Sequence, residues 1–270
     1  MTRVLVIRRG GLGDTLLAAP LLRALRRAHA GAEVHVAGTR EHCDVLAAYG
    51  IVDVARSAED LMLWLPDRAR ERLRSFDVVI GDEPPVVQHV LEPKRVAPRV
   101  SFGLQLARQV GCEPEWPADA QLLPPRASNG AGVVALAPGS GGAAKCWPRA
   151  RWLELAQRVA ARGRELLVVV GPVELERDDP RRWPWPDGVT FCVEPEPFRL
   201  AKRLEGVGAF VGNDSGTTHL AAMLGVPTAA VFQASDAAVW APVGEHVLVV
   251  DGDGAPPPVA QVDGALRLLP

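Results

Sequence analysis

Lysine is nearly missing from this chain. Only Lys94, Lys145 and Lys202 occur, and every other one of its 30 basic residues is arginine. Each lysine kept against that bias is a candidate for a specific task. Asparagine is as rare, at Asn129 and Asn213 only. The four cysteines, Cys43, Cys112, Cys146 and Cys192, are far apart and form no C-x-x-C pair. That spacing excludes a disulfide framework or a cysteine zinc site and suits reduced thiols in a cytoplasmic protein. No apolar run approaches the roughly 18 residues a membrane-spanning helix needs. The first residues run directly into an apolar strand, Arg3-Val-Leu-Val-Ile-Arg8, so no signal peptide is expected. A basic excess is also lacking. With a net charge of -2, the chain does not read as a nucleic-acid binder. The expected location is the cytoplasm, with peripheral contact at the inner membrane left open.

What is present is a globular composition, 48% hydrophobic and 23% charged over 270 residues, enough for two modest domains. Strand and helix patterns alternate along the whole chain, which argues for parallel α/β architecture. In the first half, strands are expected at 4–7, 33–37 and 77–80. Helices are expected at 15–28, 41–49, 86–91 and 102–110. In the second half, strands are expected at 133–136, 166–170, 209–211 and 228–232. Helices follow at 149–162, 197–204 and 217–224, with a last one ending at Leu269. The Pro/Gly/Ser-rich stretch between the halves is the natural linker. The expected organisation is a first Rossmann-like lobe at 1–125, a linker at 126–132 and a second lobe at 133–270. A cleft is expected between the lobes, with the last helix free to pack back on the first. Ligands of such sheets bind beyond the carboxyl ends of the strands.

Three segments carry chemistry. The most informative is Phe210-Val-Gly-Asn-Asp-Ser-Gly-Thr-Thr-His219. A strand enters a turn and a helix follows at once, capped by Asp214 or Ser215, with Thr217, Thr218 and His219 on its first turn. The unpaired N–H groups and positive dipole end of such a helix suit an anion. A plain strand–turn–helix with a good cap is the structural alternative. The second segment is Leu136-Ala-Pro-Gly-Ser-Gly-Gly-Ala-Ala-Lys-Cys-Trp-Pro148. Its turn exposes N–H groups, and Lys145 follows within reach of whatever they hold, a compact charge suited to a phosphate oxygen. It is not a Walker A loop, because G-K-[ST] is missing. The alternatives are a solvated loop lysine and, for Trp147, a buried staple under the next helix.

The third segment, Arg8-Arg-Gly-Gly-Leu-Gly-Asp14, follows the first strand. Its G-x-G fits a dinucleotide fingerprint poorly. Leu16 stands where a third small residue belongs, and the second strand ends Val36-Ala-Gly-Thr39 with no acid. Asp14 at the helix start would repel a pyrophosphate. It suits a different task, accepting a proton from a hydroxyl; a plain cap is the alternative. Two anion-binding turns in one lobe and an acid in the other match group transfer from a nucleotide-activated donor.

Together these motifs resemble glycosyltransferase family 9, the heptosyltransferases of lipopolysaccharide core synthesis. The resemblance rests on Arg8 to Asp14 with Pro20, on Pro138-Gly-Ser140 through Lys145-Cys-Trp-Pro148, and on Gly212-Asn-Asp-Ser-Gly216 with His219-Leu-Ala-Ala222. The trailing Phe232 to Gly244, with Asp236, Trp240 and Pro242, is similar to the family's next loop. The resemblance implies a GT-B fold and an inverting, metal-independent glycosyltransferase. Asp14 would be the general base, in a turn shaped by Gly11 and Gly13. Gly139, Ser140, Lys145, Asp214, Ser215, Gly216 and His219 would hold the donor diphosphate. The donor would be ADP-heptose, a substrate and not a cofactor, and Glu174 or Glu194 would reach its ribose. The acceptor would be a lipid-linked or surface glycan.

The chain departs from the family in a short first lobe, in an acidic Gly81-Asp-Glu-Pro-Pro85, and in Gln233-Ala-Ser-Asp-Ala237 where the family is richer in Gly and Pro. These leave a non-catalytic nucleotide-sugar binding protein as the alternative. Asp251-Gly-Asp253 reads as a loop, not a metal site.

Overall fold

The computed structural model describes residues 1–81, 87–91, 101–125 and 132–270. The acidic turn at 82–85 and most of the expected linker, 126–131, lie outside them. The chain divides into two compact units, Met1–Leu122 and Leu123–Pro270.

The first unit runs β1 (Arg3–Ile7), α1 (Leu12–Leu16), α2 (Ala19–Ala28), β2 (Glu33–Gly38), α3 (Arg40–Ala48) and β3 (Val54–Ser57). It continues with α4 (Pro66–Leu73), β4 (Val78–Gly81), β5 (His89–Val90) and α5 (Phe102–Gln109). Its strands form a parallel sheet in the order β3-β2-β1-β4-β5. The order reverses at β1, so the loop after β1 opens at the switch point, where open α/β sheets hold ligands. The helix expected over 15–28 is two helices. Pro20 has no N–H and its ring crowds the carbonyl four residues back, so the chain breaks after Leu16. The first piece begins earlier than expected and takes in Asp14. The helix expected at 86–91 is not formed among the described residues. His89–Val90 pair instead with the open edge of β4, and Leu91 N–H reaches Gly81 O at 2.6 Å.

The second unit runs β6 (Val134–Ala137), α6 (Arg149–Ala160), β7 (Leu166–Val170), α7 (Pro172–Arg177), β8 (Thr190–Val193) and α8 (Pro197–Leu204). Then come β9 (Ala209–Asn213), α9 (Gly216–Met223), β10 (Thr228–Phe232), α10 (Ala237–Trp240), β11 (Val247–Asp251) and α11 (Val259–Leu268). The sheet is parallel in the order β11-β10-β9-β6-β7-β8. Its switch point lies between β6 and β9. Ala137 pairs with Gly212 at the ends of those strands, so the turns that follow them start side by side. The last helix packs on its own unit, against α6 and strands β9 to β11. The core joins β6, β7, β9 and β10 to α6 and α11 through Leu136, Val168, Val211, Val231, Leu155 and Val262. Trp147 and Trp152 meet edge to face within it, ring centroids 5.1 Å apart.

The first unit carries a pH-sensitive cluster. His35 on β2 is fully buried. Its Nδ1 accepts a hydrogen bond from Arg56 Nε at 3.0 Å, and its Nε2 meets Glu33 Oε2 at 2.8 Å. A ring that accepts at Nδ1 carries its proton on Nε2 and is neutral. Burial, foremost, pushes its pKa below the ordinary histidine value. Hydrogen bonds from His35 and Arg3 hold the Glu33 carboxyl below its own. On acidification the unfolded histidine takes up a proton before the folded one. Stability is therefore expected to fall as pH drops below about 6.5. The depressed Glu33 adds a second loss in a lower window, below its ordinary 4.5. Melting temperatures across that range check this; a curve flat from about pH 7 to about pH 5 contradicts the histidine part.

Candidate active site

In the first unit, β1 delivers the chain into Arg8-Arg-Gly-Gly11. Gly10 has φ +141°, and a Cβ there would stand 2.7 Å from Asp14 Oδ2. Only glycine fits. Asp14 lies in the first turn of α1, and its Oδ2 accepts the Gly11 N–H at 2.9 Å. Its other oxygen, Oδ1, is 3.8 Å from Arg8 Nη2. The Arg8 side chain is buried, with its guanidinium over the Phe102 ring at 5.2 Å. The Asp14 side chain is 39% exposed, so the carboxylate is fixed at one oxygen and accessible. His42 of α3 completes the turn by hydrogen bonding to the Gly10 carbonyl, and burial lowers its pKa. Of the expected glycines, Gly11 would tolerate a Cβ at 3.6 Å from Asp14, and Gly13 lies inside α1. The sterically critical glycine is Gly10. Its positive φ leaves no trace in the spacing.

In the second unit the two turns are bonded into one body by Asn213. This residue is fully buried at the end of β9. Its Nδ2 donates to Pro138 O at 2.7 Å, and its Oδ1 accepts the Trp147 N–H at 3.0 Å. Ser140 Oγ donates to Asp214 O at 2.7 Å. Ser215 caps α9, its Oγ accepting the Thr218 N–H. Gly216 opens the helix and His219 is buried in its first turn. Gly139 packs against the Glu174 carboxyl so closely that a Cβ would overlap it. Trp147 is buried, with its indole N–H on Pro257 O at 2.9 Å.

Asp214 is nearly buried, and its carboxylate does not face open solvent. Oδ2 meets Lys145 Nζ at 2.7 Å and also accepts from Ser235 Oγ. The carboxylate thus orients the lysine. Lys145 itself is 40% exposed, open to a ligand on its other side. Gln233 Nε2 donates to Ala144 O at 2.8 Å and Cys146 O at 2.9 Å. Arg177 of α7 donates to Gly141 O at 2.9 Å and Ser140 O at 3.3 Å. Arg177 belongs to no motif, and Gln233 stands in the loop after β10 only as a departure from the family pattern, so spacing alone singles out neither. Glu174 is tied to Gly171 N at 2.8 Å beside the Gly139 turn, whereas Glu194 follows the edge strand β8. A cavity of about 300 Å³ adjoins the turn, lined by Ser140, Cys146, Arg149, Glu174, Arg177 and Trp183. Asp251 Oδ1 accepts the Asp253 N–H at 3.0 Å within a tight turn. Among the described residues no group of three His, Cys, Asp or Glu is placed to hold a metal. Cys43, Cys112, Cys146 and Cys192 are free, and burial pushes the Cys43 thiol up to about 12.

The sequence model of glycosyltransferase family 9 (heptosyltransferase) matches residues 70–258. The chain belongs to glycosyltransferase family 9. A lipopolysaccharide heptosyltransferase 1 from Pseudomonas aeruginosa is 30% identical over 172 residues, 62% of this chain. The match spans 46% of that protein, about half its length. A glycosyltransferase family 9 structure from Veillonella parvula superposes with a TM-score of 0.80 at 16% identity, covering 98% of this chain and 96% of its own. Escherichia coli heptosyltransferase WaaC, solved with ADP, gives 0.72 at 17% identity, covering 98% and 99%. These structural likenesses concern the fold: two parallel-sheet α/β units of the GT-B type.

Proposed function

We propose that this family 9 chain is an inverting, metal-independent transferase. It moves a heptose, or a related sugar, from an ADP-activated donor to a lipopolysaccharide-core or other surface-glycan acceptor. The observation that carries this reading is the joined pair of turns at the switch point of the second sheet. There Lys145, held by Asp214, stands beside the capped start of α9.

In this reading the donor diphosphate lies along Gly139-Ser140 and Ser215-Gly216, with His219 beneath the turn. Helix-terminal N–H groups and the Lys145 ammonium stabilise it. Asp214 acts through Lys145, since a carboxylate would repel the diphosphate. Glu174, beside Gly139, is better placed than Glu194 to accept the ribose hydroxyls. Asp14 takes the proton of the acceptor hydroxyl. That oxygen attacks the anomeric carbon, and the bond from this carbon to the diphosphate oxygen breaks, its electron pair leaving on ADP. The charge that develops on ADP is met by groups already oriented for it, which is where such sites gain most of their rate. The proposed place of action is the cytoplasm, with the acceptor brought at the inner membrane surface. Among the described residues, no helix is long and apolar enough to cross a membrane.

The test is transfer itself. ADP-heptose and a heptose-deficient lipopolysaccharide core are incubated with the protein in excess EDTA, and ADP and the product anomer are followed. ADP release with an inverted product is expected. Retained configuration, or activity abolished by EDTA and restored by a metal, contradicts the mechanism. Binding of ADP-heptose without transfer to any acceptor supports a non-catalytic nucleotide-sugar binder instead.

A further inference from the structure

We infer that Gln233 is a positioning residue for Lys145, holding the loop that presents the lysine to the donor diphosphate. The inference rests on the donor reading above.

Gln233 is the first residue after β10, and it reaches back to the loop between β6 and α6. One side-chain nitrogen donates to two carbonyls, Ala144 O at 2.8 Å and Cys146 O at 2.9 Å. Those carbonyls belong to the residues on either side of Lys145, so a single amide brackets it. Two acceptors in place require the NH₂ group there, which fixes the orientation of the amide. Arg177 holds the start of this loop through Gly141 O and Ser140 O, and Gln233 holds its end. The loop reads Gly141-Gly142-Ala143-Ala144, small residues without side-chain anchors, and its own backbone bonds are the short turns Lys145 N to Gly142 O and Cys146 N to Ala143 O. Glycines raise the entropy a loop loses when ordered. A clamp from a neighbouring strand limits that loss.

Two residues further on, Ser235 donates to the Asp214 oxygen that pairs with Lys145. The segment after β10 therefore acts on the lysine at both ends. Gln233 fixes its main chain and Ser235 holds its ion partner. Asp236 anchors the segment as the cap of α10, its carboxylate accepting the Ala238 N–H at 3.1 Å. Gln233 acts through Lys145.

The test is a calorimetric double-mutant cycle with ADP as the probe, on wild type, Gln233→Ala, Lys145→Ala and the double variant. Gln233→Glu is the second variant. It keeps the side-chain size but turns a carboxylate toward two carbonyls, so it fails to clamp even if Gln233→Ala disturbs folding. Thermal melts confirm folded samples. Each Gln233 change is expected to raise the ADP dissociation constant about five- to tenfold, the scale of one or two lost hydrogen bonds. In the Lys145→Ala background it is expected to change nothing further. A general structural role would persist in that background. Lys145-dependent binding that is indifferent to Gln233, or a Gln233 effect undiminished without the lysine, overturns this inference alone. ADP binding unchanged by Lys145→Ala overturns the donor reading and the inference with it.

Discussion

Replacing Asp14 with asparagine is expected to lower the turnover number by about 10²–10⁴-fold, the usual contribution of a positioned general base. The substitution keeps the shape and leaves one oxygen for the Gly11 N–H. The Oδ1 position, facing Arg8 and solvent, loses its capacity to take a proton. The loss belongs in kcat. ADP affinity is expected to stay at the wild-type level, because the turns proposed to hold the diphosphate lie on the other unit, bonded to each other through Ser140 and Asn213. Gly10→Ala is expected to act in the same direction with a smaller effect, since the added methyl pushes against the carboxylate it leaves in place. Steady-state rates with ADP-heptose, beside ADP titrations of the same samples, check both. Wild-type turnover in Asp14→Asn, or an equal loss of ADP binding, sinks the assignment of the base.

Asn213→Ala should strongly destabilise the second unit. The side chain is fully buried and joins three pieces of chain: the end of β9, Pro138 after β6, and Trp147 before α6. Removing it strands a carbonyl and an N–H away from water. Each stranded group costs about 1–3 kcal/mol, so the pair costs about 2–6 kcal/mol. Spread over a unit of this size, that lowers the melting temperature by roughly 5–15 °C. The two turns proposed to hold the diphosphate also lose their common tie, so ADP binding is expected to weaken even below the melting range. Asn213→Asp does not rescue it, because a carboxylate cannot donate to Pro138 O and its charge would be buried. Thermal unfolding measures the effect. A loss under about 1 kcal/mol contradicts the role given to Asn213.

The readable parts of the sequence were those whose physics is local. The strands 4–7 and 166–170 are continuous apolar runs, and 229–232 nearly completes a third, as expected of strands in a covered parallel sheet. The glycine-bearing turns after β1, β6 and β9 announce themselves by composition, and the motif order placed the chain in its family. The misreadings came from long-range context. The helix expected over 15–28 broke because Pro20 acts on Leu16. His89–Val90 became a strand because β4 had an edge to fill. β3, α4, α7, β8, α10 and β11 were not anticipated. Several of them carry exposed or charged residues, such as Arg56, Arg70, Glu174 and Phe191, that blur any period. Within the site, the residue types were legible and their division of labour was not. Asp214 sits in the turn before α9, and only its distance to Lys145 shows that it pairs with the lysine. Gln233 lies 88 residues from Lys145, and no spacing rule connects them.

The joined turns of the second unit are proposed to bind the diphosphate of an ADP-activated sugar through Lys145. Isothermal titration of ADP, UDP, GDP and NADH into wild type and Lys145→Ala, in EDTA, tests this proposal most directly. Selective ADP binding to wild type is expected, weakened by about tenfold or more without the lysine, the scale of a lost charge-assisted contact. No nucleotide binding to folded wild-type protein, or ADP binding indifferent to Lys145, would contradict it.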